Sequence, residues 1–233
     1  MNTQEFLLEL EKRVAKYDLL GHPFYKAWAA GELTKDDLRQ YGRDYYHHVD
    51  AFPTYLAEFG IRLEDGELRR AVLANMSDEK GTEDLYGEPA APHAELWLDF
   101  VEGMGGSRNM NAHQPLAEVK ELVDSFHRTA YAGTAEEALA AFYAYESQVP
   151  RVATEKARGL REMYGADEKT CAYFTLHETA DVYHSQVWLQ QLLKRVKANP
   201  QTAENALDAA EAAAKSLWHA LDGIEARRLK RAA

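Results

Sequence analysis

Apolar and aromatic positions recur at steps of three and four along most of the chain, the spacing that lays them on one face of a helix. Phe6, Leu7, Leu10 and Val14 open the series, and Pro23 interrupts it after Gly21-His22. The longest stripe follows Gly31-Glu32-Leu33-Thr34. Over residues 35–61 it runs through Leu38, Tyr41, Tyr45, His48, Phe52, Tyr55 and Leu56. Thr34 with Asp37 three residues on predicts a variant capping box at its start. Pro53 predicts a kink within it. Further helices are expected over 66–78, 93–101, 116–130, 134–164, 168–197 and 203–227. A Gly- and Pro-containing loop precedes His93, and a Gly- and Asn-rich connection spans 103–115. Alternating strand patterns and hairpin dipeptides are almost absent. The expectation is an all-α fold of seven to eight helices in a single domain, 1–233, without repeats.

Composition agrees with a packed globule. Of 233 residues, 46% are hydrophobic, enough for a sizeable core. The net charge of −11 makes nucleic acid and anionic membranes poor partners. The basic run Arg227-Arg228-Leu229-Lys230-Arg231 is the local exception and reads as a cationic helix end or a solvated tail. Cys171 is the lone cysteine, so no disulfide forms within the chain, and a reducing cytoplasm is expected. Neither a leader peptide nor an apolar run of about 18 residues is legible.

Candidate chemistry is concentrated in three stretches. In Phe174 to His184, the residues His177, Asp181 and His184 stand at i, i+4 and i+7, within roughly 60° of one another on a continuous helix. Two imidazoles and a carboxylate in that arrangement suit a transition metal, the alternative being a solvated polar face. Glu146 lies among Tyr143, Ala144 and Tyr145, which predicts burial, so it needs a cation or a hydrogen-bonding partner. Arg151 and Arg158 are candidate ion-pair partners for it. An acid closing one helix, Glu79, and a histidine opening the next, His93, are candidates to face a common centre, the alternative being the ordinary occurrence of acids at helix ends and histidines at helix starts. Together these make three imidazoles and three carboxylates, the mixed set used by carboxylate-bridged dinuclear sites in helix bundles. Tyrosines are plentiful near the N-terminus: Tyr25, Tyr41, Tyr45 and Tyr46. Lys156 falls about 80° around the helix from Glu146, where it either lines the same cavity or pairs with Glu155 or Glu162 on the surface.

Several strings taken together resemble a known family. They are Gly31-Glu32-Leu33-Thr34-Lys35, Asp44-Tyr45-Tyr46, Ala51-Phe52-Pro53-Thr54-Tyr55-Leu56, Tyr145 to Arg151, Glu155 to Leu160 and His177 to His184. The family is the chlamydial proteins associating with death domains. It belongs to the haem-oxygenase-like helical superfamily, beside the pyrroloquinoline-quinone synthase and thiaminase-II groups. The resemblance spans about residues 5–225. It implies a haem-oxygenase-like bundle holding a dinuclear centre of iron, manganese or both. It also implies dioxygen-dependent formation of para-aminobenzoate for folate synthesis, with dioxygen and an external reductant as co-substrates. Carried over by position, the metal ligands are Glu79, His93, Glu146, His177, Asp181 and His184. The implied source of the aromatic ring is Tyr25, with Tyr41 assisting and Lys156 donating the amino group, in a single, self-sacrificing turnover. The loop after Glu79 is longer here than in the relatives and also holds Glu83 and Glu88, so any of the three acids fits the first ligand position.

Other readings make different demands. A conventional oxidase of the pyrroloquinoline-quinone synthase type needs a bound small molecule. A thiaminase-like hydrolase needs an activated thiolate, and Cys171 has no activating partner in the sequence. A death-domain-binding module leaves six convergent ligands unexplained. A homodimer stays open.

Overall fold

A computed structural model describes residues 2–81 and 90–232, and among them there are α-helices, two short 3-10 turns and no strand. The rival acids Glu83 and Glu88 lie outside the described residues. In chain order the helices are α1 (Thr3–Ala15), α2 (Pro23–Ala29), α3 (Lys35–Gly60), α4 (Glu67–Glu79), α5 (His93–Gly103) and α6 (Ala117–Ala132). They continue with α7 (Ala135–Glu146), α8 (Val149–Tyr164), α9 (Glu168–His177), α10 (Ala180–Ala198) and α11 (Ala203–Ala232).

The spine is α3. Its expected stripe is buried along its whole length, from Leu38 to Leu56. Thr34 and Asp37 form the capping box, and the helix runs on through Pro53. Around it pack α4, α5 and α6, while α11 lies along α6 and α7 and touches α1. On the other side α10 packs on α7, and α9 lies between α5 and α8. The basic run forms the cationic last turns of α11, with Leu229, Lys230 and Arg231 exposed and its arginines ion-paired. Arg227 reaches the buried Asp44, Arg231 reaches Asp36, and Arg228 pairs with Glu225 at 2.7 Å.

Two segments expected as single helices are broken, and both breaks fall beside candidate ligands. Residues 134–164 split after Glu146. Pro150 has no N–H to bond the Glu146 carbonyl, and the chain crosses Ser147-Gln148 before α8 begins. Residues 168–197 split at Glu178-Thr179, where Thr179 leaves the helical region (φ −122°, ψ −39°). His177 therefore ends one helix, while Asp181 and His184 open the next, so the three do not share a continuous helix face. No glycine or proline marks this second break, and the periodicity continues across it.

Close approach of backbones sets two further points. Gly81, at φ 66°, turns the chain after α4 so tightly that a Cβ there would lie 2.4 Å from the nitrogen of Pro92. This turn brings the end of α4 against the start of α5. Gly159 on α8 lets the indole of Trp28 approach the helix closely, since a Cβ would come within 2.8 Å of Trp28 Cδ1. Gly159→Ala is expected to displace Trp28 and destabilise the fold by about 1–3 kcal/mol, the usual cost of overpacking. A urea-unfolding midpoint measures this, and an unchanged midpoint contradicts it.

Candidate metal centre

Five helix ends converge on one place in the core. The last turn of α4 brings Asn75, Asp78 and Glu79, and α5 begins with His93. The end of α7 brings Glu146, the end of α9 brings Tyr173 and His177, and the start of α10 brings Asp181 and His184. All six candidate ligands are between 1% and 6% exposed. They form two trios. Glu79, His93 and His177 offer ligand atoms that all lie within 4.8 Å of one another, and so do Glu146, Asp181 and His184. The sequence spacing had grouped His177 with Asp181 and His184, and the break at Thr179 gives it to the other trio.

The polar atoms are aimed at each other but not bonded to each other. His93 Nδ1 stands 2.9 Å from Glu79 Oε2, and His184 Nδ1 stands 3.4 Å from Asp181 Oδ1. Neither contact has hydrogen-bond direction, and both nitrogens are otherwise without a partner. Lone pairs pointed at a shared centre have this appearance. The opposite edges of two imidazoles are held. His177 Nδ1 donates to the Tyr173 carbonyl at 2.6 Å, and His184 Nε2 bonds Asp78 Oδ2 at 3.2 Å. Each hold leaves one nitrogen turned inward, the usual support for a metal-bound histidine. Glu146 accepts from Asn75 Nδ2 at 3.3 Å and from the Trp188 indole N–H. Arg151 and Arg158 pair elsewhere, with Asp18 and with Glu155 and Glu162. No arginine therefore neutralises Glu146.

The protonation pattern shows the strain of collecting these groups. Burial, then repulsion from Asp181, pushes the Glu146 carboxyl well above its ordinary value. Burial works to lower His184, but the carboxylates of Asp181 and Asp78 outweigh it and lift the imidazole to about 11. Burial lowers His177, while Glu79 is held below its usual range by the fields of His93 and His177 against the push of burial. Charge and protonation are thus set against burial here, where a divalent cation in each trio would balance the charge directly. The donor set of imidazole and carboxylate, with no thiolate, suits iron or manganese.

A second polar group lies on the other side of an aromatic wall. Lys156 is 6% exposed. Its Nζ donates to Tyr25 Oη at 2.8 Å and to Tyr41 Oη at 2.6 Å, and the two phenols are 3.0 Å apart. The surface pairing of Lys156 with Glu155 or Glu162 does not occur, and both acids bond Arg158 instead. Burial alone drives the Lys156 amine well below the ordinary lysine value. Nζ also sits over the Tyr25 and Tyr41 rings, 4.2 and 4.9 Å from their centroids. Such contacts favour the charged form by about 2 kcal/mol when desolvated. Burying an ammonium costs several kcal/mol, so the neutral amine wins. Burial raises Tyr25 and Tyr41, so both stay protonated.

Tyr145 and Tyr173 form the wall between the two groups. Tyr173 stacks on His177 at 4.0 Å. A cavity of about 10 Å³ lies on the metal side, bounded by Glu79, Glu146, His177 and Asp181. Another of about 20 Å³ lies on the Lys156 side. Both have Tyr145 and Tyr173 in their walls.

Fold and site together define a helical metal-dependent oxidoreductase. The family model for iron-containing redox enzymes matches residues 39–218, and the chain belongs to that family. The 4-aminobenzoate synthase of Chlamydia trachomatis is 38% identical over 224 residues, covering 94% of this chain and 91% of that protein. The 4-aminobenzoate synthase of Nitrosomonas europaea is 34% identical over 241 residues, covering 96% and 92%. A solved protein of Shewanella denitrificans with a haem-oxygenase-like fold superposes with a TM-score of 0.79 at 18% identity, over 96% of this chain and 93% of that one. The haem-oxygenase-like all-α expectation therefore holds.

Among the described residues, no helix is long and apolar enough to cross a membrane. Asn75, Asp78, Trp188 and Tyr173 support the site, yet the sequence reading had not assigned them. Tyr173, four residues before His177, and Trp188, four after His184, were visible as helix-face neighbours.

Lys156 gives a sign-checked stability prediction. Its folded pKa is depressed, so between that value and the unfolded one the unfolded chain binds the extra proton. That proton cost grows as pH falls and vanishes above the unfolded lysine value. Lys156→Met is expected to raise the melting temperature at pH 7, by about 2–4 °C for each 1 kcal/mol regained. The gain should shrink as pH rises toward 10. Thermal melts across this range check it, and a variant less stable at every pH contradicts it.

Proposed function

We propose that this protein makes 4-aminobenzoate in a dioxygen-dependent reaction, with Tyr25 as the source of the ring and Lys156 as the source of the nitrogen. In this reading Glu79, His93 and His177 hold one metal ion, and Glu146, Asp181 and His184 hold the other, with iron, manganese or both as the metals. When bound, the pair supplies oxidising power by reducing dioxygen with electrons from an external reductant. A reducing cytoplasm suits both the lone Cys171 and that demand.

The observation that carries the reading is the position of Lys156 Nζ on Tyr25. 4-Aminobenzoate has its nitrogen para to the carboxyl carbon, as tyrosine has its oxygen para to Cβ. The nitrogen must therefore arrive at Cζ of the ring as the phenol oxygen leaves as water and the Lys156 Cε–Nζ bond breaks, while dioxygen oxidises Cβ to the carboxyl carbon and the Cα–Cβ bond breaks. Nζ lies 2.8 Å from Tyr25 Oη and 4.2 Å from the ring centroid. Those two distances put Nζ roughly 3–3.5 Å from Cζ, the range of a near-attack contact. As a neutral amine it keeps a lone pair while its hydrogens bond the phenol oxygens. Tyr41 holds the amine from the other side and bonds Tyr25 Oη, so it is placed to accept or return a proton as the phenol is oxidised.

The size of the cavities supports an internal ring. The two beside the site measure about 10 and 20 Å³, against about 150 Å³ for a protein cavity that takes up benzene. An external aromatic substrate, as the pyrroloquinoline-quinone synthase type requires, finds no room there among the described residues.

The test is reconstitution with iron or manganese, a reductant and air, followed by mass measurement on protein and product. The wild-type protein is expected to yield 4-aminobenzoate, to lose the mass of one tyrosine side chain at residue 25 and to lose the amine nitrogen at residue 156. Tyr25→Phe should give no product at unchanged metal content, and His177→Ala should bind less metal. Full product from Tyr25→Phe, or unchanged metal in His177→Ala, overturns the assignment of that residue.

A further inference from the structure

The ring assigned as substrate is sealed in. Tyr25 is 4% exposed, and the cavities beside the site measure about 10 and 20 Å³. A released 4-aminobenzoate is larger than benzene, which needs a protein cavity of about 150 Å³. It leaves only if one wall of the site opens.

Among the walls, α2 stands apart. Its outer face, Pro23 and Lys26, is exposed, and its inner face is Phe24, Tyr25, Ala27 and Trp28, all buried. At seven residues it is too short to hold itself helical, so its order comes from what the inner face touches. The other helices around Tyr25 and Lys156, which are α3, α5, α8 and α9, run for ten residues or more.

Polar ties pin α2 at three points. At its start the buried His22 accepts the Phe24 N–H at Nδ1, 3.1 Å, and bonds Asp222 Oδ1 on α11 through Nε2, 3.1 Å. At its end the Ala29 carbonyl accepts from Arg158 Nη2 at 3.1 Å. The middle tie is Tyr25. Its hydroxyl oxygen accepts from Lys156 Nζ on α8 at 2.8 Å and shares a hydrogen bond with Tyr41 on α3 at 3.0 Å. Trp28 packs on the same face, but its Nε1 has no hydrogen-bond partner. Among the described residues, the inward-facing side chains of α2 are thus tied by hydrogen bonds through that one hydroxyl. The proposed reaction consumes this tie. Loss of the ring at residue 25 and of Nζ at residue 156 removes both hydrogen bonds and the packing of the phenol at once, and leaves no side chain at the centre of the helix.

We propose that the Tyr25 ring is the latch of α2, and that its excision lets α2 open and release the product. The inference rests on the proposed consumption of Tyr25 and Lys156 and adds to it the way out.

Amide hydrogen exchange read by mass spectrometry is the test, on the metal-loaded protein kept free of oxygen so that no turnover intervenes. Tyr25→Ala removes the ring but keeps a good helix former, so faster exchange reports the lost latch and not helix propensity. It is expected to speed exchange over residues 24–30 by about tenfold or more, with α3 and α8 near wild-type rates. Tyr25→Phe keeps the ring and removes only the two hydroxyl bonds; it stands in, with a smaller rise expected, if the alanine variant does not fold. Val152→Ala enlarges the same cavity from α8 and should leave α2 as in the wild type. Wild-type exchange of α2 in Tyr25→Ala, a rise spread evenly over all helices, or an equal rise at α2 in Val152→Ala each overturns the proposal. After turnover in air, 4-aminobenzoate is expected to pass a protein-retaining filter, and α2 of the spent protein to exchange as in Tyr25→Ala. Product released while α2 stays protected, or held back while α2 exchanges, overturns it as well. Absence of 4-aminobenzoate is a different failure: it removes the functional reading and leaves the exchange of the variants standing.

Discussion

Three carboxyls and three imidazoles meet in the interior of an all-helical bundle, and the rest of the structure is arranged around that constraint. Moving one carboxylate into a dry interior costs several kcal/mol even after relaxation. Here Glu79, Glu146 and Asp181 are all nearly inaccessible, and no lysine or arginine reaches Glu146 to compensate it. Protons on His93 and His184 offset the charge only in part, with Glu146 still held well above its ordinary value. One cation in each trio balances all six groups at once.

The helix breaks make that geometry available. An unbroken helix through 168–197 keeps His177 beside Asp181 and His184 on one face, giving a single crowded ligand set. The break at Thr179 turns His177 toward Glu79 and His93, and two trios replace one. The missing N–H of Pro150 has a similar effect after Glu146, ending α7 at the ligand itself. Burial then works in opposite senses on the two sides of the Tyr145–Tyr173 wall. On the metal side it makes cations favourable. On the other it strips the charge from Lys156 and leaves a nucleophilic amine against the ring of Tyr25. The same dry core thus holds two metal-capable trios and an uncharged lysine side by side.

Much of this was legible in the sequence. The i, i+3, i+4 stripe from Leu38 to Leu56 gave the central helix, and Thr34 with Asp37 marked its start. Glu146 stood out because a carboxylate among Tyr143, Ala144 and Tyr145 needs a partner once buried, and the structure excludes Arg151 and Arg158 from that part. The split at Glu178-Thr179 was not legible, because neither residue carries the stereochemistry of a turn and the periodicity crosses it intact. The pairing of Glu79 with His93 was only half visible. It depends on Gly81 folding the chain back onto Pro92, a close approach that appears only in three dimensions. Lys156 was ambiguous for a general reason: a lysine's neighbours in sequence, here Glu155 and Glu162, say nothing about which face of its helix is buried. Asp78 and Asn75 act through other side chains, so only the folded structure shows what they hold.

The account stands on two cations bound by two separate trios. Anomalous diffraction at the iron and manganese absorption edges, on crystals of the metal-loaded protein, tests it most directly. Two peaks are predicted, one bounded by Glu79, His93 and His177 and the other by Glu146, Asp181 and His184. A single peak shared by all six residues, or none among them, contradicts it.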